Sequence, residues 1–302
     1  MSAGYLGESY ALLAALTWGV ALVLFKRAGE RVPPLALNLF KNVIALVLLA
    51  ATLCVIPEGG SIVGRFSHTD IAILVASGMM GIALADTLFF HSLNLIGVGL
   101  VSIVDCLYSP LVIFFSFILL SEQITSAHFV GTGLILTGVL ISSRHAPPAN
   151  RTHAQVVSGI LLGVVSMALM TFGIVMAKPV LEIHDFPLIW AATLRLLPAT
   201  LALVLIVCAS PNKEERWAAF RPSQTWWLSV PASFLGAYLA MIFWVAGFKY
   251  AKGATAGILN QTSIIFALIL ATVILKEPFT RRKLIAVGLA LAGVVIVMLN
   301  VS

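Results

Sequence analysis

Ten apolar runs, each near the length a helix needs to cross a bilayer, follow one another along this chain. They lie at roughly 9–27, 34–55, 70–93, 98–120, 126–143, 155–177, 187–208, 226–248, 253–275 and 282–299. A crossing helix needs about 20 apolar residues, so ten of them occupy most of the 302 positions and leave no room for a soluble domain. Barrel strands would be half as long and would alternate polar with apolar residues; these runs do not. The breaks carry turn and charge signals, among them Arg31-Val32-Pro33-Pro34, Pro57-Glu58-Gly59-Gly60, His145-Ala146-Pro147-Pro148 and Ser210-Pro211-Asn212-Lys213. The expected fold class is an all-α membrane protein of ten transmembrane helices.

Composition agrees. Hydrophobic residues make up 60% of the chain and charged residues 10%, against about 25% charged in soluble domains. A water-soluble enzyme, a nucleic-acid binder and a disordered chain are excluded. Cys54, Cys106 and Cys208 sit in apolar runs without disulfide or zinc spacing. The first run is too long for a removable signal peptide, lacks a basic leader and ends in Lys26-Arg27, so it is expected to stay as span one.

The net charge of +6 reads as a topology signal, not as a polyanion partner. Loops after spans one, three, five, seven and nine hold twelve bases, from Lys26 and Arg27 to Arg281, Arg282 and Lys283; the other side holds only Arg65, Lys178, Lys249 and Lys252. This bias places the first set in the cytoplasm and both termini outside.

The chain repeats itself. Residues 122–143 and 277–298 match at 8 of 22 positions at an offset of 155, including Glu122/Glu277, Thr125/Thr280, Gly133/Gly288 and Gly138/Gly293. Pro33, Lys41 and Ala45 mirror Pro187, Arg195 and Ala199, and Gly7, Lys26 and Glu30 mirror Gly159, Lys178 and Glu182. Two five-span halves follow, 1–146 and 147–302. An odd number of spans forces the second copy to enter from the opposite side, giving inverted repeats with a substrate site near the midplane between them.

Trp18-Gly19 in span one, a base followed by Ala four residues later in spans two and seven, Ser109-Pro110 in span four, and the Glu122 and Glu277 openings before Gly-x4-Gly helices together resemble the EamA-type branch of the drug/metabolite transporter superfamily. The resemblance covers essentially the whole chain. It implies a ten-helix carrier of the bacterial inner membrane, often an exporter of amino acids or related metabolites.

A charge at mid-bilayer costs at least about 2.5–3.5 kcal/mol, which makes four residues functional candidates: Lys41, Asp86, Asp105 and Arg195. The acids are expected to line a central cavity and bind a proton or the substrate's ammonium; the bases are expected to face a carboxylate or to pair internally. In span four, Asp105, Tyr108 and Ser109 lie at i, i+3 and i+4, on one face, and Pro110 frees a carbonyl one turn earlier. The matching stretch of span nine is Asn260-Gln261-Thr262-Ser263, polar again, with Asn260 in the place of Asp105. Asn260, Gln261 and Ser263 therefore join the candidate site. Thr87, His91 and Asn94 share a face of span three, with His91 as a candidate relay, although a structural His is the blander reading. Trp18, Trp190, Tyr238 and Trp244 are candidate cavity walls or cation–π surfaces, against ordinary packing. Glu122 and Glu277 precede helix starts and read as caps, and the glycines of spans five and ten as close helix contacts.

The resulting reading is a secondary carrier exporting small polar metabolites by alternating access, with protons as a candidate coupling ion. It needs a lipid bilayer and a small-molecule substrate, no cofactor, no metal and no nucleic acid, and works as a monomer or loose homodimer. An organic-cation efflux carrier is the alternative, although span one has no carboxylate, only Thr17 and Trp18. A lipid enzyme would need clustered acids, His or a nucleophile at one interface; His128, His145 and His153 come without such partners. A non-transporting scaffold would leave the midplane polar residues unexplained. No G-x4-G-K-[ST] loop is present, so primary ATP-driven transport by this chain alone is excluded.

Overall fold

The computed structural model describes residues 5–29, 31–56, 66–142, 152–182, 186–211, 213–221, 223–274 and 281–299. They are helical almost throughout. In chain order the helices are α1 (Leu6–Ala28), α2 (Pro34–Val55), α3 (His68–Gly78), α4 (Asp86–Asp105), α5 (Tyr108–Leu120), α6 (Ser126–Ser142), α7 (His153–Glu182), α8 (Leu188–Ala209), the short α9 (Lys213–Trp217), α10 (Trp226–Ser233), α11 (Ala240–Tyr250), α12 (Gly253–Asn260), α13 (Ser263–Ile274) and α14 (Arg281–Leu299). Pro33 and Pro187 stand just before α2 and α8, where a missing N–H costs nothing. A Ser67–Asp70 capping box opens α3. Among the described residues, six helical stretches are long and apolar enough to span a membrane: Leu6–Phe25, Pro34–Val55, His68–Phe89, His153–Glu182, Leu188–Ala209 and Trp226–Tyr250. The apolar α5 is shorter.

The offset of 155 reappears as backbone geometry. A π-helical segment, Met79–Ala85, joins α3 to α4, and a second, Phe234–Leu239, joins α10 to α11. Gly81 and Gly236 hold equivalent places in them. One tightened turn, the Leu107 N–H donating to Val104 C=O at 3.0 Å, separates α4 from α5; its mate, Thr262 N–H to Leu259 C=O at 3.1 Å, separates α12 from α13. Pro110 contributes to the first break by removing the donor for the Cys106 carbonyl. Two expected boundaries change accordingly. The helix of span three runs on through Asp105 instead of ending near 93, because no proline or charge interrupts residues 93–104. The run at 253–275 is two helices, not one.

Packing between the halves is reciprocal. The first helix of each half lies against elements of the other: α1 against α11, α12 and α13, and α7 against α3, α4 and α5. α2 packs on α8, and α6 on α14. The largest buried cluster holds Ile174, Val175, Val180, Phe248, Ile258 and Val112, so it draws on both halves. α6 and α14 meet where a Cβ on Gly293 would come within 2.7 Å of the Gly131 carbonyl. Of the glycines expected at this contact Gly293 makes it, against Gly131, whereas a Cβ added at Gly133 or Gly288 would meet nothing within 4 Å.

Capping also crosses the halves. The Glu122 carboxylate accepts from the Gly253 and Ala254 N–H groups, at 2.7 and 3.1 Å, and so caps α12 instead of its own α6. The Thr125 N–H at the start of α6 donates to His128 Nδ1 at 3.1 Å. Glu277 lies outside the described residues. Lys178, expected in a loop, is buried inside α7, where Nζ donates to the Phe248 and Ala251 carbonyls at 3.0 and 2.8 Å and pairs with Glu182. These carbonyls end α11, so a cation there meets the negative helix pole.

Candidate functional site

The four charges expected inside the spans, Lys41, Asp86, Asp105 and Arg195, divide into one pair and two singles. Lys41 of α2 reaches Asp86, the first residue of α4, with Nζ to Oδ2 at 3.0 Å. The π turn before Asp86 re-aims this residue toward α2; such bulges often accompany functional positions. Arg195 of α8 is fully buried. Its guanidinium lies 4.7 Å from the centre of the Trp244 ring and within electrostatic reach of Asp86. None of its three nitrogens has a hydrogen-bond partner among the described residues.

Trp244 of α11 links this base to the broken helices. Its Nε1–H donates to the Tyr108 hydroxyl at 2.9 Å, and that hydroxyl faces the Asn260 side chain. The Ser109 hydroxyl donates to the Gly257 carbonyl at 3.3 Å and contacts Gln261 Oε1 at 3.4 Å. Gln261 also lies against the Asp105 carboxyl, yet its buried Nε2 closes no hydrogen bond among the described residues. Asp105, Tyr108, Ser109, Asn260 and Gln261 thus gather where the two tightened turns meet. They do so across a break, not along one helix face as the i, i+3, i+4 spacing suggested.

Asp105 sits deep in the protein but keeps accessible surface, as do Asn260 and Trp244. Ser263 is buried at the start of α13, at a close approach of α1: a Cβ on Gly19 would come within 2.9 Å of the Ser263 carbonyl.

Three further candidates lie apart. His91 is exposed on α4. Trp18 packs with Phe25, Ala21 and Ala232, a cluster distinct from the Asp105 group. Tyr238 sits in the second π segment with its hydroxyl 2.6 Å from the Thr52 hydroxyl, packed on Ala45, Leu49 and Leu196. The side chain of Asn94 lies outside the described residues. Sequence reading missed two positions. Gly81 is flanked by Arg195, since a Cβ there would lie 3.7 Å from Nη2. Met241 stands 155 residues after Asp86, where the second half has no acid. The repeat offset could have found Met241; nothing local marks Gly81.

Comparison with known proteins agrees with this architecture. The model of the EamA-like transporter family matches twice, over residues 5–144 and 157–299. No curated protein matches the chain. Among solved structures 29 chains match. One of them, described as a crystal structure of protein, is similar at a TM-score of 0.79 with 20% identity, covering 98% of this chain and 96% of its own; at that identity the likeness speaks for the fold. Two family matches that together span nearly the whole sequence, on an all-helical chain with six apolar spans, make it a multi-pass membrane protein of the EamA-like transporter family, part of the drug/metabolite transporter superfamily.

Proposed function

We propose that this chain is a secondary active transporter that exports small polar metabolites by alternating access, with its substrate site between two inverted five-helix halves. The observation that carries the reading is the meeting of the two tightened turns around Asp105, Tyr108, Asn260 and Gln261. Irregular backbone at membrane depth is tolerated where it lines a cavity or is buried in protein, and broken helices at a repeat interface are the usual setting of a transporter's site. Ten spans, with the basic loops in the cytoplasm and both termini outside, complete the topology; the bacterial inner membrane is its proposed location.

Within this reading Asp86 is held by Lys41, and Asp105 is the acid free to exchange a proton or bind a donor group of the substrate. The organic-cation alternative asks for a carboxylate without a competing base, and Arg195 in the same region speaks against it. The test is flux in proteoliposomes holding the purified chain, screened over amino acids, nucleosides and organic cations. An imposed pH gradient is expected to drive uptake of at least one polar metabolite. Asp105→Asn is expected to lower pH-driven uptake by about tenfold or more, the scale set by losing one charge-assisted contact. Unchanged coupling in Asp105→Asn removes the proton role, and flux of cations alone removes the metabolite reading.

A further inference from the structure

The two halves treat equivalent bases differently. Lys41 and Arg195 hold matching places in α2 and α8, but Lys41 has an acid at 3.0 Å. The residue matching that acid in the second half is Met241. Arg195 has kept its charge and its burial and has no paired acid among the described residues. Its guanidinium offers five N–H donors in a planar fork, and all three nitrogens are without an acceptor among the described residues. An unpaired buried charge of this kind is costly. We propose that Arg195 is the docking point for a carboxylate carried by the transported solute, a proposal that rests on the transport reading above.

The surroundings suit that ligand. The Trp244 ring lies 4.7 Å from the guanidinium carbon, a cation–π contact that leaves the N–H groups of the fork unoccupied. On the α3–α4 side stands Gly81, where an added Cβ would lie 3.7 Å from Nη2, so no side chain intervenes between that helix and the fork. Asp86, already engaged by Lys41, supplies attraction at longer range and no hydrogen bond. A carboxylate matches the planar fork with two parallel hydrogen bonds. Arg195 is sealed in this conformation, so the carboxylate reaches it once α8 or the first π segment shifts. The rest of the solute then meets the accessible Trp244, Asn260 and Asp105.

The experiment uses the full-length protein in lipid nanodiscs and reads its thermal unfolding with matched probes. These are the common α-amino acids, aliphatic acids from acetate to hexanoate, and the primary amide of each. At least one carboxylate is expected to stabilise the protein, its amide binding about tenfold more weakly or worse, the scale set by losing one charge-assisted fork. The amide comparison needs no variant. Arg195→Lys keeps the charge but not the fork, and is expected to weaken binding by a similar factor. Equal binding of acid and amide, undiminished binding in Arg195→Lys, or no stabilisation by any carboxylate each overturns the proposal. Flux of carboxylate-free solutes by the same preparation overturns the docking role and leaves the transporter reading standing; absence of flux for every solute overturns the transporter reading itself.

Discussion

Gly78→Ala is expected to destabilise the folded protein by about 3 kcal/mol or more, beyond the usual range for one added methyl group in a core. A Cβ on Gly78 would fall 2.0 Å from the Arg195 carbonyl oxygen and 2.6 Å from its Cα. Backbone stands in the way there, so no side chain can swing aside. α3 and α8 must separate, and with them the Arg195 guanidinium leaves the Trp244 face. Small residues permit this kind of approach between membrane helices. The matching residue of the second half, Ser233, hydrogen-bonds within its own helix to the Ser229 carbonyl at 2.6 Å, so Ser233→Ala serves as a mild control. Thermal unfolding in detergent checks both; equal midpoints for Gly78→Ala and the parent would refute the close crossing.

Lys41→Met carries the second large effect. Removing one partner of a buried ion pair typically costs about 3–5 kcal/mol, because the other charge stays behind without compensation. Here the lower end is expected, since the Asp86 side chain is 18% exposed and still feels Arg195. Adding Asp86→Leu in the same chain is expected to recover most of the loss, as replacing a whole buried pair by apolar groups is often neutral. A double variant as unstable as Lys41→Met would show that Asp86 has a further obligation beyond its lysine. The double-mutant cycle over unfolding free energies measures this coupling directly.

Much of the architecture was legible in the chain. Pro33 and Pro187 mark helix starts by chemistry that acts within one turn, and apolar length marks the long spans. The offset of 155 pointed from Asp105 to Asn260, and the structure places the polar stretches around both at matching breaks. What stayed hidden is tertiary. Nothing local says that Lys41 chooses Asp86, 45 residues on, or that Arg195 rests on an indole instead of an acid. Glu122 looks like a cap for the helix it precedes, but the free N–H groups it satisfies belong to α12, 131 residues away. The π segments carry no proline, and their glycines are common in membrane helices. Each widens one turn, which shifts every later side chain around the helix axis. The one-face arithmetic for Asp105, Tyr108 and Ser109 failed for a related reason: it assumed a continuous helix across Cys106–Leu107.

The central claim of the proposed function is that both sides of the membrane gain access in turn to the region of Asp105. A single cysteine at Asn260 tests it, introduced as Asn260→Cys with Cys54, Cys106 and Cys208 replaced by serine. Of the native thiols two are exposed and one is buried, so their removal is needed for a clean signal. A membrane-impermeant thiol reagent is then applied to oriented vesicles from either face in separate samples. Alternating access predicts that position 260 is modified from both faces, and that a transported solute changes the two rates in opposite directions. Modification from one face only, with or without solute, would contradict the account.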